Sequence, residues 1–212
     1  MTDYRRTNDG VETPDRESRT FGSTGLELRF DDGKAPILSG YALVYENRYD
    51  IGGGPERGGF TETIARGAAA KSAKEADVRL LINHTGLPLA RTRSGTLTLE
   101  SDDIGLRINA ELDPANPSVV ELRSTMARGD ADEMSFAFRS INDQWDASYE
   151  VRTIKELALY DVSVVTYPAN PATVAQMRSA EHLEDDLAAE APPAPGRSLA
   201  LARRQLEVVS NG

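Results

Sequence analysis

The 212 residues contain no cysteine. A disulfide scaffold and a cysteine nucleophile are both excluded. There are only two histidines, and His182 sits in a polar stretch, so His84 alone belongs to a segment that reads as folded. A structural zinc site takes about four Cys, His or carboxylate ligands. The chain is therefore expected to hold no metal. The glycine run at Ile51-Gly52-Gly53-Gly54-Pro55 lacks the Gly-Lys-Ser/Thr that completes a phosphate cradle, and no cofactor is expected. No stretch approaches the roughly 18 apolar residues of a membrane-spanning helix. Residues 1–19 alternate acids and bases and lack the apolar centre of a secretory signal. Basic residues are in the minority: 24 Lys and Arg against 34 Asp and Glu leave a net charge of -10. A sequence-independent nucleic-acid binder needs a basic surface to displace phosphate counterions. Neither nucleic acid nor membrane is an expected partner.

What is present is a series of short apolar runs between turn signals. Residues 1–20 are charged, lack apolar periodicity and read as a disordered arm. Residues 21–178 read as one folded domain, and residues 179–212 as a flexible polar tail with a proline-rich centre. In that tail, residues 199–209 form a short amphipathic piece. Strands are expected over 26–30, 37–45, 78–84, 89–92, 96–100, 105–112, 133–140, 144–153 and 156–167. Gly40 suits a bulge. A turn is expected at Thr85-Gly86-Leu87-Pro88. Residues 61–76, rich in Ala, Lys and Glu, read as a helix. A second helix opens at Asn116-Pro117 and stops at Gly129. Many short strands with two inserted helices suggest an α+β fold, mainly an antiparallel β-barrel with helices packed outside.

Three segments carry side chains suited to chemistry. Leu80-Leu81-Ile82-Asn83-His84 delivers the one candidate imidazole to a strand end, and imidazole takes and returns a proton near neutral pH. In Met134-Ser135-Phe136-Ala137-Phe138-Arg139, alternation turns Met134, Phe136 and Phe138 to the core and leaves Ser135 beside the small Ala137. Asp161 interrupts an otherwise apolar strand, and a buried carboxylate needs a partner such as a histidine ring N–H. Nucleophile, base and orienting acid are the parts of activated-serine chemistry. There is no Gly-x-Ser-x-Gly elbow, which sets aside the α/β-hydrolase arrangement. Backbone N–H groups near Ser135 are candidate oxyanion donors; Arg139, roughly 13 Å along the strand at about 3.3 Å per residue, is remote. A structural His84, an outward polar Ser135 and an edge-strand Asp161 remain open alternatives.

As a set, the segments resemble the prohead (capsid maturation) proteases of tailed bacteriophages, which are similar in fold to herpesvirus assemblins. The resemblance runs from about residue 37 to residue 178. It takes in Gly40-Tyr41-Ala42, Gly59-Phe60, Val78 through His84, Ser94-Gly95-Thr96-Leu97, Gly105-Leu106 and Arg128-Gly129-Asp130. It closes on Met134-Ser135-Phe136-Ala137-Phe138 and Asp161-Val162-Ser163-Val164-Val165-Thr166-Tyr167-Pro168-Ala169. The resemblance implies a herpesvirus-protease-like barrel, and His84 and Ser135 as the catalytic pair. It implies Asp161 as third member, where many relatives carry Glu, with Glu156 a distant second choice. The second histidine that herpesvirus relatives use has no counterpart in the folded part of this chain. The implied activity is that of a serine endopeptidase packaged inside the prohead in the host cytoplasm. Its substrates would be the scaffold, or the scaffold-like segment of the major capsid protein, and then itself. Self-association as a homodimer is a further implied partner. The alternative readings are a catalytically inactive scaffold or capsid-interior protein of the same fold, and an esterase with the same triad.

Overall fold

A computed structural model of the chain describes residues 5–7, 10–12, 16–22 and 25–166. The strands are β1 (Arg5–Thr7), β2 (Gly10–Glu12), β3 (Glu17–Gly22), β4 (Glu27–Arg29), β5 (Ile37–Val44), β6 (Arg48–Ile51), β7 (Phe60–Ile64), β8 (Arg79–Ile82), β9 (Thr85–Arg91), β10 (Leu97–Ser101), β11 (Gly105–Glu111), β12 (Glu133–Trp145) and β13 (Val151–Val165). Two helices, α1 (Ala70–Glu75) and α2 (Pro117–Ala127), and a 3-10 turn at Pro55–Arg57 are set between them.

Alternation builds the centre of the molecule. Met134, Phe136 and Phe138 of β12 and Val162 and Val164 of β13 are fully buried in the main core, as a period of two demands of a strand with one face inward. β12 and β13 pair antiparallel, with Ser135 opposite Ser163 and Ala137 opposite Asp161. β3 pairs with the other edge of β12, Thr20 opposite Ser135. The far edge of β13 is shared by two parallel neighbours, β7 along Val151–Ile154 and β8 along Asp161–Val164. β6 pairs with β7, and β9 with β8. A second sheet runs β10-β11-β5-β4, and its Leu38, Leu43, Leu106 and Ile108 join the same core as Phe21, Leu80 and Phe136.

Several expectations hold. The bulge falls in β5, where the register with β11 shifts between Leu106 and Arg107. The extra residue is Ala42 rather than Gly40, which pairs with Ile108 and is instead required by close approach: a Cβ there would lie 2.9 Å from the Leu26 Cα. In α2, the Asn116 side chain caps the Ser118 N–H, Pro117 occupies the first turn, and Gly129 follows the end at φ 77°.

Others change. The helix expected over 61–76 shrinks to α1, because Phe60, Glu62 and Ile64 face inward from strand β7. Glu62, which composition places in water, is fully buried against Arg19 and Arg152. Residues 17–20, expected in a disordered arm, belong to β3. Their charges are absorbed by that ion network, and the neighbouring Phe21 packs on Tyr49 and Phe136. The turn expected at residues 85–88 is strand β9, and the reversal comes earlier, at Asn83 and His84. The strand expected over 144–153 is cut by a turn at residues 146–150. Gln144 and Trp145 end β12, while residues 151–153 run on into β13 together with the strand expected over 156–167, Arg152 and Ile154 continuing the buried face. The α+β class holds, with strands dominating. Among the described residues, however, the sheets have edge strands and β13 has parallel partners, so no closed antiparallel barrel forms. The tail at 179–212, with His182 and the segment 199–209, lies outside the described residues. No helix among the described residues is long and apolar enough to cross a membrane.

Candidate active site

The hairpin between β8 and β9 has only two loop residues, Asn83 and His84, with Ile82 paired to Thr85. Their φ angles are 51° and 56°. Positive φ at both positions marks the type I′ turn, whose twist matches the strands it joins. Asparagine tolerates this region, whereas the second position is ordinarily glycine. His84 is therefore held where its backbone is disfavoured. The holding groups come from β13 and its end. The Asn83 N–H donates to the Val164 carbonyl at 3.0 Å, the Asn83 Oδ1 accepts the Thr166 N–H at 3.1 Å, and the His84 N–H donates to Ser163 Oγ at 3.2 Å.

This turn swings the imidazole over the face shared by β12 and β13. His84 Nε2 lies 2.6 Å from Ser135 Oγ, and Nδ1 lies 2.5 Å from Asp161 Oδ1. Ser135 and Asp161 are buried, while the His84 side chain keeps 21% of its surface exposed. The second oxygen of Asp161 accepts from Arg16 Nη2 at 2.8 Å. The network assigns the tautomer. A carboxylate paired with arginine only accepts, so Nδ1 carries a ring proton, and in the neutral ring Nε2 is the acceptor facing the Ser135 hydroxyl. One other acceptor competes for that hydroxyl: the Arg19 carbonyl, 2.9 Å from Ser135 Oγ. A cavity of about 310 Å³, lined by Arg16, Glu17, Ser18, His84 and Ala137, opens beside the ring.

His84, Ser135 and Asp161, far apart in sequence, thus meet in one hydrogen-bonded chain. Glu156 is not part of it and instead meets Lys71 at 3.4 Å. Arg139 is exposed farther along β12, opposite Ala158. Sequence reasoning missed Arg16, the Arg19 carbonyl and Ser163. Ser163 alone left a trace, since it follows Asp161 by two positions and so shares its face. Arg16 sits in the segment taken for a disordered arm, with nothing to distinguish it from its charged neighbours. Among the described residues, no group of three or more His, Cys, Asp or Glu could hold a metal ion.

Such an arrangement, with a hydroxyl on a bare imidazole nitrogen and a carboxylate on the other nitrogen, suits nucleophilic attack on a carbonyl. Comparison with known proteins places the chain in a protease family. Residues 24–186 match the family described as caudovirus prohead serine protease. The chain is 29% identical over 171 residues to the prohead protease of Enterobacteria phage HK97, covering 78% of this chain and 71% of that one. It is 32% identical over 75 residues to the prohead protease of Escherichia phage T5, covering 35% of this chain and 34% of the relative. Among solved structures, the bacteriophage T4 capsid assembly protease aligns with a TM-score of 0.42 and 15% identity, over 72% of this chain and 98% of that one. The match spans β4 through β13 and includes all three hydrogen-bonded side chains, and on it the chain belongs to the caudovirus prohead serine protease family.

Proposed function

We propose that this chain is a prohead serine endopeptidase in which Ser135 is the nucleophile, His84 the general base and Asp161 the residue that orients the base. The observation that carries the reading is the 2.6 Å contact between His84 Nε2 and Ser135 Oγ in a chain of this family. In the first step the Ser135 oxygen attacks a peptide carbonyl and its proton passes to Nε2. Asp161 stabilises the imidazolium, which then protonates the departing amine. Water, activated by the same ring, releases the acyl group and restores Ser135. The substrate comes across the cavity on the His84 and Ala137 side, and the Ser135 hydroxyl turns from the Arg19 carbonyl to Nε2.

Substrates on this reading are the scaffold or the scaffold-like segment of the major capsid protein, and the chain itself, cut inside the prohead in the host cytoplasm. Self-cleavage in the polar segment past residue 178, or its use as an anchor, belongs to the same proposal. Homodimer formation and a herpesvirus-protease-like fold belong to the same proposal. The rival reading, an inactive structural protein, gives no reason to hold a histidine at φ 56° or to bury a carboxylate against it.

Wild type and Ser135→Ala, expressed in parallel with the capsid protein and followed by intact mass, test the reading. Discrete new termini in the wild type only are the expected result. Cleavage in a clean Ser135→Ala sample, or none in either, would reject it. Arg16 holds the free oxygen of Asp161 from a side chain that is 57% exposed. An ion pair whose cation is open to solvent is screened and contributes on the order of 1 kcal/mol, so Arg16→Ala is expected to slow cleavage no more than about 5-fold. A loss near that of Ser135→Ala would give Arg16 a different role.

A further inference from the structure

Ser163 joins Asp161 to His84 and has no part in the roles proposed above. It follows Asp161 by two positions in β13, so both side chains leave the same face of the strand. Its side chain is fully buried. A hydroxyl offers one donor and two acceptor sites, and this one is used at both ends. Ser163 Oγ donates to Asp161 Oδ1 at 3.1 Å and accepts the backbone N–H of His84 at 3.2 Å. The Nδ1 of His84 lies 3.3 Å from the same oxygen. One atom thus touches the backbone of the base, the ring of the base and the carboxylate oxygen that receives the ring proton.

We infer that Ser163 is a positioning residue for the His84–Asp161 pair. The need for it follows from the turn. His84 sits at φ 56°, a conformation its backbone disfavours, so a bond to its N–H opposes relaxation out of the turn. Asp161 Oδ1 must at the same time stay in the ring plane to receive Nδ1–H. Ser163 imposes both conditions together. Without it, the His84 N–H loses its acceptor and the carboxylate is free to rotate toward Arg16. Displacement of a catalytic group by about 1 Å can cost on the order of 100-fold in rate.

The inference rests on the proposed roles of Ser135, His84 and Asp161, and its test separates the two. The probe is a fluorophosphonate, with adduct formation followed by intact mass. Ser135 Oγ bonds to phosphorus, fluoride leaves, and the hydroxyl proton passes to His84. Wild type, Ser135→Ala, Ser163→Ala, Asp161→Ala and the Asp161→Ala/Ser163→Ala pair are compared, each with its urea midpoint. Ser163→Ala is expected to label about 10- to 100-fold more slowly than wild type while still folded. In the Asp161→Ala background the same change is expected to slow labelling by a clearly smaller factor, because the carboxylate is gone and only the bond to the His84 N–H remains to be lost. A purely structural Ser163 would give the same fold loss in both backgrounds, which would overturn the inference. So would labelling of Ser163→Ala within about 3-fold of wild type. Should Ser163→Ala fail to fold, Ser163→Cys keeps the shape with a weak donor, and slow labelling is again expected. Labelling that persists in Ser135→Ala rejects the nucleophile itself. Labelling lost in Ser135→Ala but normal in Ser163→Ala rejects only the role of Ser163.

Discussion

Replacing His84 with glycine is expected to give an inactive protein that is more stable than the one made by replacing it with alanine. Both changes remove the imidazole, so both lose the contact to Ser135 and the partner of Asp161. On the proposed mechanism, cleavage falls by about 10⁴-fold or more in each, the scale seen when a triad member is removed from other serine proteases. The two variants differ only in what the backbone tolerates. At φ 56° a Cβ crowds the following carbonyl, at a cost of roughly 1–2 kcal/mol that glycine escapes. Alanine recovers about 0.4–1 kcal/mol through the narrower unfolded ensemble. The glycine variant should therefore lead by about 1 kcal/mol, read as a higher urea midpoint at an unchanged slope. In an ordinary strand the order reverses. An alanine variant as stable as the glycine one would mean that His84 does not occupy the left-handed turn, and the delivery of its ring to Ser135 would need another explanation.

The same turn shows where sequence reasoning stops. β11 and β12 were legible because their apolar residues alternate, β8 from its short apolar run, and the alternation in β12 also told which way Ser135 faces. α2 was legible from Asn116-Pro117 and Gly129, which cap and end it by local geometry. The Asn83-His84 reversal was not, because the glycine that usually signals such a turn is replaced by the residue the chemistry needs. β7 and the start of β3 were hidden for a different reason. Glu17, Arg19 and Glu62 count as solvated charges in any local window, and only pairing across the fold makes them core residues. The candidate site divides in the same way. His84, Ser135 and Asp161 stood out because each residue type was out of place or suited to the chemistry. Arg16 and Ser163 are ordinary residues whose importance comes from what β13 brings beside them.

That buried ion network predicts the largest loss of stability in the molecule, from Arg152→Met. Arg152 is fully buried. It donates to Glu17 at 2.7 and 3.1 Å, to Glu62 at 2.9 Å and to Asp143 at 2.7 Å. Arg19 is the second cation, 2.6 Å from Glu62 and 2.7 Å from Glu17, and the Tyr49 hydroxyl donates to Glu62 at 2.6 Å. Removing one partner from a buried network leaves uncompensated charge, typically at about 3–5 kcal/mol. That is a large share of the roughly 5–15 kcal/mol that holds a domain together. Adding Glu62→Gln to Arg152→Met removes a negative charge along with the positive one. The double variant is expected to be at least as stable as Arg152→Met alone, and simple additivity of the two losses would show that the charges do not interact. Acid should act on the same group. Burial alone would push the Glu62 carboxyl up, but Arg19, Arg152 and Tyr49 outweigh burial and hold it below the usual glutamate range. A depressed folded value stabilises the protein above the unfolded glutamate value, and that stability is lost as pH falls through the folded one. The network fixes β3, and β3 places the Arg19 carbonyl on Ser135. Acid below the ordinary glutamate range is thus expected to weaken the wall of the active site together with the fold. Urea midpoints across that range should fall steeply for wild type and less steeply for Glu62→Gln, and equal slopes would place the acid-sensitive group elsewhere.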